Sequence, residues 1–379
     1  MSKLKVISTP DPDFKLFEHR SQWLDGFKFY AGGTGTWSSG VISDLTVEKT
    51  KGGSDDVNYL RVGLVLEFRD AADTSVINAV GVITKVIDQQ SIKVKALQSS
   101  PTNIADGDEI YVIGSAMGEG SRSPESAQTE LEVVWNSCQT HKTAVEISES
   151  LRRAALRGYS NELAFLRAEA MKEHKVQIER SLLFGKRRNG QSAPANTVTD
   201  EDSKPVRTTL GAITAIRDYG TSEENYFSVT KATYDYDAFV DDMEALYQYV
   251  NMERVKYGFI GSSALAFFSK ATASGGFLYN SGLKLEANPE ATKQFGVDVR
   301  TLIHPFGRLE LVWNPLLRGP YADTMLVVDP ANIQLVQYRP TVYQTNIQEN
   351  DRDGIKEQYL SDLGLGMTLI ETHGLFEFK

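Results

Sequence analysis

Histidine and carboxylate side chains are the residues of this sequence best suited to acid–base or metal chemistry. The carboxylates cluster beside turn residues, without the ligand spacing of a calcium loop, at Asp106, Asp108 and Glu109, at Asp235 and Asp237, and at Asp351 and Asp353. The five histidines are dispersed, as His19, His141, His174, His304 and His373. No H-E-x-x-H or G-x-S-x-G sequence occurs. We therefore predict turn roles for the carboxylates, structural roles for the histidines, no metal site and no catalytic constellation.

A glycine-rich stretch and a basic cluster are the candidates for phosphate or nucleic-acid chemistry. Residues 32–40 read GGTGTWSSG, and Ser38 stands where the last glycine of a G-x-G-x-x-G fingerprint is required. A flexible turn is the better interpretation. The cluster KRR at 186–188 follows a predicted helix end, where cations complement the helix dipole. Contact with nucleic acid is kept as the alternative for this cluster.

Composition and charge bound the class of protein. The chain has 379 residues, 41% of them hydrophobic and 24% charged, and so has room for roughly two or three globular domains. The net charge of −10 argues against a surface that grips nucleic acid as a whole. Cys138, the single cysteine, excludes an intramolecular disulfide and is expected to be a small buried residue in a reducing cytoplasm. Without a signal-peptide core or a run of about 18 apolar residues, we expect neither export nor a membrane span.

Two patterns divide the first 114 residues. Residues 1–40 are rich in turn formers, which predicts an extended arm with little core of its own. From residue 45 to 114 the pattern has period two, with Lys93 and Lys95 on the wet face. The alternating apolar set comprises Val80, Val82 and Val86, Ile92, Val94 and Ala96, and Ile110 and Val112. This pattern predicts an insertion made of antiparallel hairpins.

Residues 146–186 have helical periodicity. Gly158 is predicted to split the helix, with Ser160 as the next N-cap and Gly185 as the C-terminal stop. The second piece spans about 37 Å at about 1.5 Å per residue, more than the core of a small domain. One apolar stripe contains Leu163, Leu166, Ala170, His174, Ile178 and Leu182, and nearly opposite lie Phe165, Val176 and Leu183. Both faces are expected to pack, and an interior helix of one large domain is the alternative.

A loop without periodicity at 187–207 leads into alternating helices and strands. Residues 236–250 predict an amphipathic helix, KYGFI at 256–260 a strand, and GSS at 261–263 the start of another helix. Strands are predicted in FGVDVRTLIHP, GRLELVW, TMLVVDP and the final residues 354–378. The predicted fold class is α+β.

Several sequence segments between residues 114 and 340 resemble one branch of the major head proteins of tailed bacteriophages. The segments that carry the resemblance are GSAMGEGSRSPES, HKVQIERSLLFGKRR, PVRTTLGAITAI, FGVDVRTLIHPFGRLELVWNPLL and MLVVDPANIQLVQYRP. The order of predicted elements is also similar to the Hong Kong 97 (HK97) type of capsid fold. A Lys and an Asn that would weld subunits together are not assignable, so self-cross-linking is not predicted.

The resemblance implies a division of the chain and a set of packing residues. The implied ranges are an N-terminal arm at 1–40, an extended loop enlarged by a β subdomain at 41–118, a peripheral domain at 119–208 with a spine helix at 160–184, an axial domain at 209–330, and C-terminal strands at 331–379 that return to the peripheral domain. The spine helix packs through Leu163, Leu166, Ala170, Ile178 and Leu182. Glycines flanking the insertion are the hinge candidates: Gly40, Gly118 and Gly120.

The function that the resemblance implies is assembly and not catalysis. Copies of the chain would form hexamers and pentamers of an icosahedral head shell around phage DNA, assembled in the host bacterial cytoplasm and retained in the virion. The implied partners are further copies, a scaffolding protein, a portal protein, a decoration protein, and double-stranded DNA held by weak non-specific contact. No cofactor and no membrane are implied.

Three alternatives are retained. An encapsulin-like nanocompartment shell has the same fold and encloses enzymes in place of DNA. A tail or decoration protein would use the hairpin insertion as its main domain, but leaves the long two-faced helix unexplained. A soluble hydrolase with an unrecognised site belongs to a different class, and its native mass would distinguish it, since an enzyme runs as a small oligomer and a capsid protein as rings or shells.

Overall fold

The computed structural model describes residues 4–19, 28–48, 60–88, 90–120, 131–153, 161–188, 198–220, 225–248, 255–271, 285–287 and 299–379. The chain divides into two compact units. Phe17–Glu132 forms the smaller unit, and Met1–Leu16 together with Val133–Lys379 forms the larger unit. Strands β2 (Asp13–His19) and β9 (Leu131–Ser137) make a two-stranded ribbon. No helix among the described residues is long and apolar enough to cross a bilayer.

The smaller unit is a closed barrel whose neighbouring strands are all antiparallel. Around the barrel the strands follow the order β3-β4-β7-β6-β5-β8. Their bounds are β3 Lys28–Ala31, β4 Val41–Glu48, β5 Leu64–Arg69, β6 Ile77–Val86, β7 Ser91–Ala96 and β8 Glu109–Ser115. Alternate side chains, among them Phe29, Leu66, Phe68 and Ile110, are buried and fill the interior. The predicted antiparallel strands are confirmed, and the barrel has a packed core.

The inward face of β6 is not the one that the valine pattern predicts. Val80 and Val82 are only half-buried, whereas Ala79 and Ile83 are completely buried. A Cβ atom at Gly81 would lie 2.5 Å from Cγ1 of Val94 on β7. Small inward residues are required because the backbone of β6 lies directly against this valine, so packing overrides the preference of valine for burial.

The first 40 residues supply side chains to two cores, and the expectation of an arm without a core is wrong. Phe29 in β3 lies inside the barrel, and Phe14 in β2 is buried with Cys138 and Val336. β1 (Lys5–Ser8) pairs in parallel with a late strand of the larger unit. Strands of four to seven residues between turns hold too few alternations to detect in sequence. Cys138 is buried as predicted, and burial raises the pKa of its thiol to about 12.

The larger unit contains a four-stranded sheet covered by one long helix. The strand order is β1-β17-β18-β10, and β1 is the single parallel neighbour in it. The bounds are β10 Gln139–Ile147, β17 Ile333–Gln344 and β18 Ile355–Met367. The short helix α1 (Glu149–Arg153) follows β10, and the long helix α2 (Glu162–Phe184) packs against β10 and β18.

A seven-stranded mixed sheet with helices makes up the rest of the larger unit. Its order is β11-β19-β16-β12-β15-β14-β13. The strands are β11 Tyr226–Val229, β12 Val255–Ile260, β13 Leu285–Ala287, β14 Val299–His304, β15 Gly307–Trp313, β16 Thr324–Val328 and β19 Gly374–Phe378. The helices are α3 Ala212–Tyr219, α4 Tyr236–Tyr247 and α5 Ser262–Ala271. Two 3₁₀ turns occur, at Gly319–Tyr321 and Ile370–Thr372. Within the described residues, the predicted elements after residue 235 are confirmed, as is the α+β class; residues 249–250 and 295–298 of these predictions lie outside the described residues. Of the predicted loop at 187–207, residues 189–197 lie outside the described residues.

Candidate functional site: the long helix on its sheet

The two ends of α2 are set by local chemistry. Asn161 is the N-cap, and its Oδ1 atom accepts a hydrogen bond from the backbone N–H of Ala164 at 3.1 Å. The predicted cap, Ser160, and the predicted break at Gly158 lie outside the described residues. The helix therefore begins one residue later than predicted. An Asn side chain accepts hydrogen bonds from the first-turn N–H groups as well as a Ser side chain does.

Gly185 ends the helix as predicted, and the reason is close backbone packing. A Cβ atom at Gly185 would lie 2.4 Å from the carbonyl oxygens of both Ser181 and Thr209. The N–H of Gly211 donates to the carbonyl of Gly185 at 2.8 Å, and Gly211 likewise has no room for a Cβ. The end of α2 and the segment before α3 are thus joined backbone to backbone.

The predicted apolar stripe of α2 is the side that packs. Ala170 and Leu182 are buried, and Leu163, Leu166 and Ile178 are half-buried. On the opposite side, burial differs from residue to residue: Leu183 is buried, Val176 is half-buried and Phe165 is 39% exposed. Of these three residues, Leu183 at the end of the helix is the one that is fully buried.

A row of polar side chains lies within this packed face, and we call it the polar seam. On α2 it consists of Arg167, His174 and Ser181, and on the sheet of His141, Thr143, Glu357 and Ser361. The spacing of seven on the helix equals about two turns, which brings all three helix residues to one side. Sequence reasoning found His174 as a structural histidine but not its partners, since Thr143 lies 31 residues before it and Ser361 lies 187 residues after it, on strands that no local pattern connects to the helix.

His174 sits at the centre of the seam and is fully buried. Its Nδ1 lies 3.0 Å from Oγ1 of Thr143 on β10, and its Nε2 lies 2.7 Å from Oγ of Ser361 on β18. The Ser361 hydroxyl in turn donates to Oγ1 of Thr341 at 2.8 Å. One imidazole thus joins the helix to two neighbouring strands, and both of its ring nitrogens have partners.

His141 extends the seam toward the end of α2. Its Nε2 lies 3.2 Å from Oγ of Ser181, and its ring is edge-on to that of His174 with centroids 6.3 Å apart. Burial, reinforced by the neighbouring imidazole, lowers the pKa of His141 to about 4. Burial also lowers the pKa of His174. Both rings are neutral at pH 7, which lets each nitrogen act as a donor or an acceptor without a buried charge.

An ion pair holds the other end of the seam. Nε and Nη2 of Arg167 donate to the two carboxylate oxygens of Glu357 at 2.7 and 2.6 Å, and the Glu357 side chain is only 3% exposed. Tyr343 also donates to this carboxylate and stacks on Tyr359 with centroids 4.9 Å apart. The bidentate contact with Arg167 lowers the pKa of Glu357. Charge is therefore tolerated at this buried position because both oxygens are paired.

A second buried polar group, in the seven-stranded sheet, was not foreseen from sequence. Lys256 on β12 is 1% exposed, and its Nζ donates to the carbonyls of Leu246 and Thr372 at 2.6 and 2.7 Å. Burial lowers the pKa of Lys256 to about 8. Burial and this lysine also lower the pKa of His304 to about 4 and that of His373 to about 3. The one warning in the sequence is that Lys256 alternates in phase with Gly258 and Ile260, which are buried on the same face of the strand.

The carboxylates and the basic cluster of the sequence analysis have structural partners. Asp108 accepts hydrogen bonds from the backbone N–H groups of Ala71 and Ala105 and from Nδ2 of Asn78, and Asp235 caps α4. Arg187 lies 3.6 Å from the ring centroid of Trp135 and donates to its carbonyl. Packing on an aromatic ring, and not the helix dipole alone, accounts for this cation. No group of three metal-ligating side chains comes together in the part of the chain that the structure describes.

The three hinge candidates occupy different settings. Ser39 and Gly40 have φ of 52° and 73° between the paired residues Ser38 and Val41, which is a tight two-residue turn inside the smaller unit. Gly40 is therefore fixed by turn geometry. Gly120 has φ of 71° with open space around it, and Gly118 is exposed. A hinge role for Gly118 and Gly120 stays a prediction.

The helix, its sheet and the seam hold one another in a fixed arrangement through these contacts. Comparison with known proteins identifies the class of protein. The family described as SU10 major capsid protein matches residues 53–378. The chain belongs to this family. The predicted resemblance to phage major capsid proteins is thereby confirmed, and with it the prediction that the protein is structural and not an enzyme.

Individual relatives are more distant. A major capsid protein of Pseudomonas phage PaMx41 is 26% identical over 193 residues, which cover 50% of this chain and 41% of that protein. The chain thus matches less than half the length of this relative. The capsid of a native GTA particle has a TM-score of 0.45 at 9% identity, covering 100% of this chain and 88% of that chain. An encapsulin complex of Synechococcus elongatus has a TM-score of 0.43 at 7% identity, covering 66% and 77%. The assignment rests on the family match.

Proposed function

We propose that this protein is the repeating subunit of an icosahedral phage head shell, present as hexamers and pentamers that enclose double-stranded DNA. The observation that carries the proposal is the family match over residues 53–378. The geometry supports it, because the buried seam stabilises a rigid helix–sheet framework. Such a framework suits a part that is copied many times with the same internal structure.

This function assigns a role to each part of the chain. The spine helix is α2, and the four-stranded sheet beneath it belongs to the peripheral domain, with the C-terminal strands β17 and β18 returning to it. The seven-stranded sheet with α4 and α5 corresponds to the axial domain, whose loops meet around the capsomer axes. The enlarged extended loop at 41–118 supplies β4–β8 of the barrel, with β3 contributed by the range assigned to the arm, and it lies over an adjacent subunit. Each contact is weak alone, and many together hold a subunit by effective concentration.

Partners beyond further copies also follow. We assign a separate scaffolding protein, a portal protein and a decoration protein to the shell, with assembly in the host cytoplasm before the particle becomes a virion. Packaged DNA touches the inner wall by weak, non-specific contact, which a net charge of −10 suits because a basic lining would hold the genome against the wall.

Electron microscopy of the purified, overexpressed protein after a sizing column tests the proposal. Shells, or rings of five and six subunits, are the expected result. If only monomers or dimers are found, the protein is co-expressed with the neighbouring phage genes, since a scaffold directs assembly in many such systems. Small particles that persist under those conditions contradict the shell function and return attention to the hydrolase alternative.

The content of the particle separates the phage head from an encapsulin-like compartment. Portal and terminase genes beside this gene, and DNA in particles from infected cells, are expected. A neighbouring cargo enzyme and protein-filled, DNA-free particles would support the compartment in its place.

The hinge proposal has its own test: replacing Gly118 and Gly120 together by Ala is expected to disturb shell assembly more than subunit stability, and unchanged particles count against it.

A further inference from the structure

The four-stranded sheet of the larger unit ends at β10. This strand pairs with β18 along its whole length, from Gln139↔Leu363 to Ile147↔Ile355. Among the described residues, no strand pairs with its other side, and no backbone hydrogen bond leaves residues 140–147 for another element. At nine residues it is longer than the usual strand of about five or six. An edge of this length is a row of N–H and C=O groups aligned for a further strand.

The exposed face of β10 carries a short charged pattern. Buried and exposed residues alternate strictly, and the exposed ones are Thr140, Lys142, Ala144 and Glu146. Glu146 lies opposite Lys356 on β18 and also contacts Arg352 at 2.5 Å. Lys142 lies opposite the apolar Leu360 and makes no ion pair with any described residue. The face thus has one lysine and one glutamate, four residues apart, with Ala144 midway.

This pattern is complementary to itself in one register. When two copies of an edge strand lie antiparallel about a two-fold axis, one residue stands opposite its own copy. If the two-fold axis passes through Ala144, Lys142 stands opposite Glu146 of the second copy, and the same pair forms again on the other side of the axis. If the axis passes through Lys142 or through Glu146, that residue faces the like charge of its own copy. If the axis passes through Thr143, Lys142 faces Ala144 of the second copy. Directly opposite unlike charges stabilise a strand pair and like charges destabilise it, so charge selects the register at Ala144.

We propose that β10 pairs with β10 of a second copy of this chain, antiparallel and centred on Ala144, so that two four-stranded sheets continue as one across a two-fold axis. The proposal rests on the shell function and names one contact within it. An isologous contact needs only one self-complementary patch, and β10 supplies both the open backbone and the matched charges. The opposite role for Lys142 is that of an edge guard, since a lysine on an edge strand commonly prevents strands from joining.

Cysteine cross-linking of the full chain tests the register. In Ala144→Cys, the two introduced Cβ atoms stand about 5 Å apart in the proposed pair, within reach of a short thiol cross-linker. Thr140→Cys, on the same exposed face, is the matched control, because its two copies are eight positions apart, about 27 Å at about 3.4 Å per residue. The native Cys138 is 2% exposed and leaves the background low.

The expected result is a covalent dimer from assembled Ala144→Cys shells and none from Thr140→Cys shells. Shells of Ala144→Cys without dimers, or equal dimer yields from the two variants, overturn the proposal while the shell function stands. If the unmodified protein forms no shell with its scaffold present, the shell function itself fails, and this contact fails with it.

Charge exchange provides a test that does not depend on cysteine. Lys142→Glu and Glu146→Lys each create two like-charge pairs in every two-fold contact, and each is expected to weaken assembly about tenfold. The double variant restores the unlike pairs across the axis and is expected to assemble better than either single variant, and to fall short of the unmodified chain only by the loss of the local Glu146–Arg352 ion pair. Arg352→Ala shows how much of the Glu146→Lys effect comes from losing the local ion pair. A double variant no better than either single one, or Lys142→Glu that associates more strongly as the edge-guard role requires, contradicts the proposal.

Discussion

Removing the imidazole at the centre of the polar seam is the sharpest test of how α2 is held. In His174→Leu, the hydroxyls of Thr143 and Ser361 lose the nitrogen atoms that lie 3.0 and 2.7 Å from them in a fully buried position. A buried polar group left without a partner costs about 1–3 kcal/mol. Since Ser361 retains Thr341 as a partner, we expect a total loss of about 2–4 kcal/mol in the free energy of unfolding.

The same reasoning predicts a recovery when all three polar groups are removed. In His174→Leu with Thr143→Val and Ser361→Ala, no buried hydroxyl is left unpaired, and the replacements are similar in shape. Replacing both partners of a hydrogen bond by apolar groups is close to neutral. The triple variant is therefore expected to lie within about 1 kcal/mol of the unmodified protein.

Urea unfolding of the unassembled full chain, followed by far-ultraviolet circular dichroism, measures both variants. All helices among the described residues lie in the larger unit, so the helical signal follows that unit. With a slope of about 3 kcal/mol per molar urea, a loss of 3 kcal/mol lowers the midpoint by about 1 M. A single variant as stable as the original, or a triple variant no more stable than the single one, would refute the claim that the seam consists of desolvated, mutually satisfied groups.

Three further outcomes are expected. Burial lowers the pKa of His141 to about 4, whereas a histidine in the unfolded chain has a pKa near 6.5. The stability contributed by neutral His141 is therefore full above about pH 7 and is lost as the pH drops from about 6.5 toward 4, with a loss of about 2 kcal/mol between pH 7 and 5. His141→Gln should show a smaller pH dependence in the same urea assay. Gly185→Ala places a Cβ 2.4 Å from two carbonyl oxygens and should lower the free energy of unfolding by about 2–3 kcal/mol in the same urea assay; an unchanged midpoint would contradict the close backbone packing at this glycine. Arg167→Leu leaves the Glu357 carboxylate, which is 3% exposed, without its cation and should lower the free energy of unfolding by about 2–4 kcal/mol. Lys172→Leu, which removes an exposed ion pair with Glu169, should cost less than about 1 kcal/mol. Equal effects of the two variants would contradict the burial of the first pair.

Elements with a long periodic signal could be predicted from the sequence. The stripe on α2 that includes Ala170 and Leu182 has enough turns for its phase to be read, and the packed side agrees with it. The barrel strands β6, β7 and β8 were found for the same reason, since alternation such as that of Ile92 and Val94 repeats across them, whereas β3 was missed. Long-range patterning is a property of the segment itself, so it survives without knowledge of what the segment packs against.

What the sequence did not reveal depends on the neighbour and not on the segment. The inward face of β6 is set by the contact between Gly81 and Val94, and no pattern within β6 announces it. The burial of Lys256 is possible only because carbonyls of Leu246 and Thr372 converge on its Nζ. The seam likewise joins a helix to one strand shortly before it and to another near the C-terminus. In each case a pairwise contact decides, and single-segment reasoning has no access to it.

The spacing of the seam also limits where the subunit is able to adapt. Arg167, His174 and Ser181 recur every seven residues, and each contacts a different point on the sheet. Sliding α2 by one turn, about 5.4 Å, would break all three contacts at once and bury an unpaired carboxylate at Glu357. Small displacements gain nothing in return, since hydrogen bonds weaken steeply when stretched. The helix and its sheet therefore move as one body, and the different contacts that pentamers and hexamers require must be taken up at the connections between such bodies and at their open edges, of which β10 is the longest in this sheet.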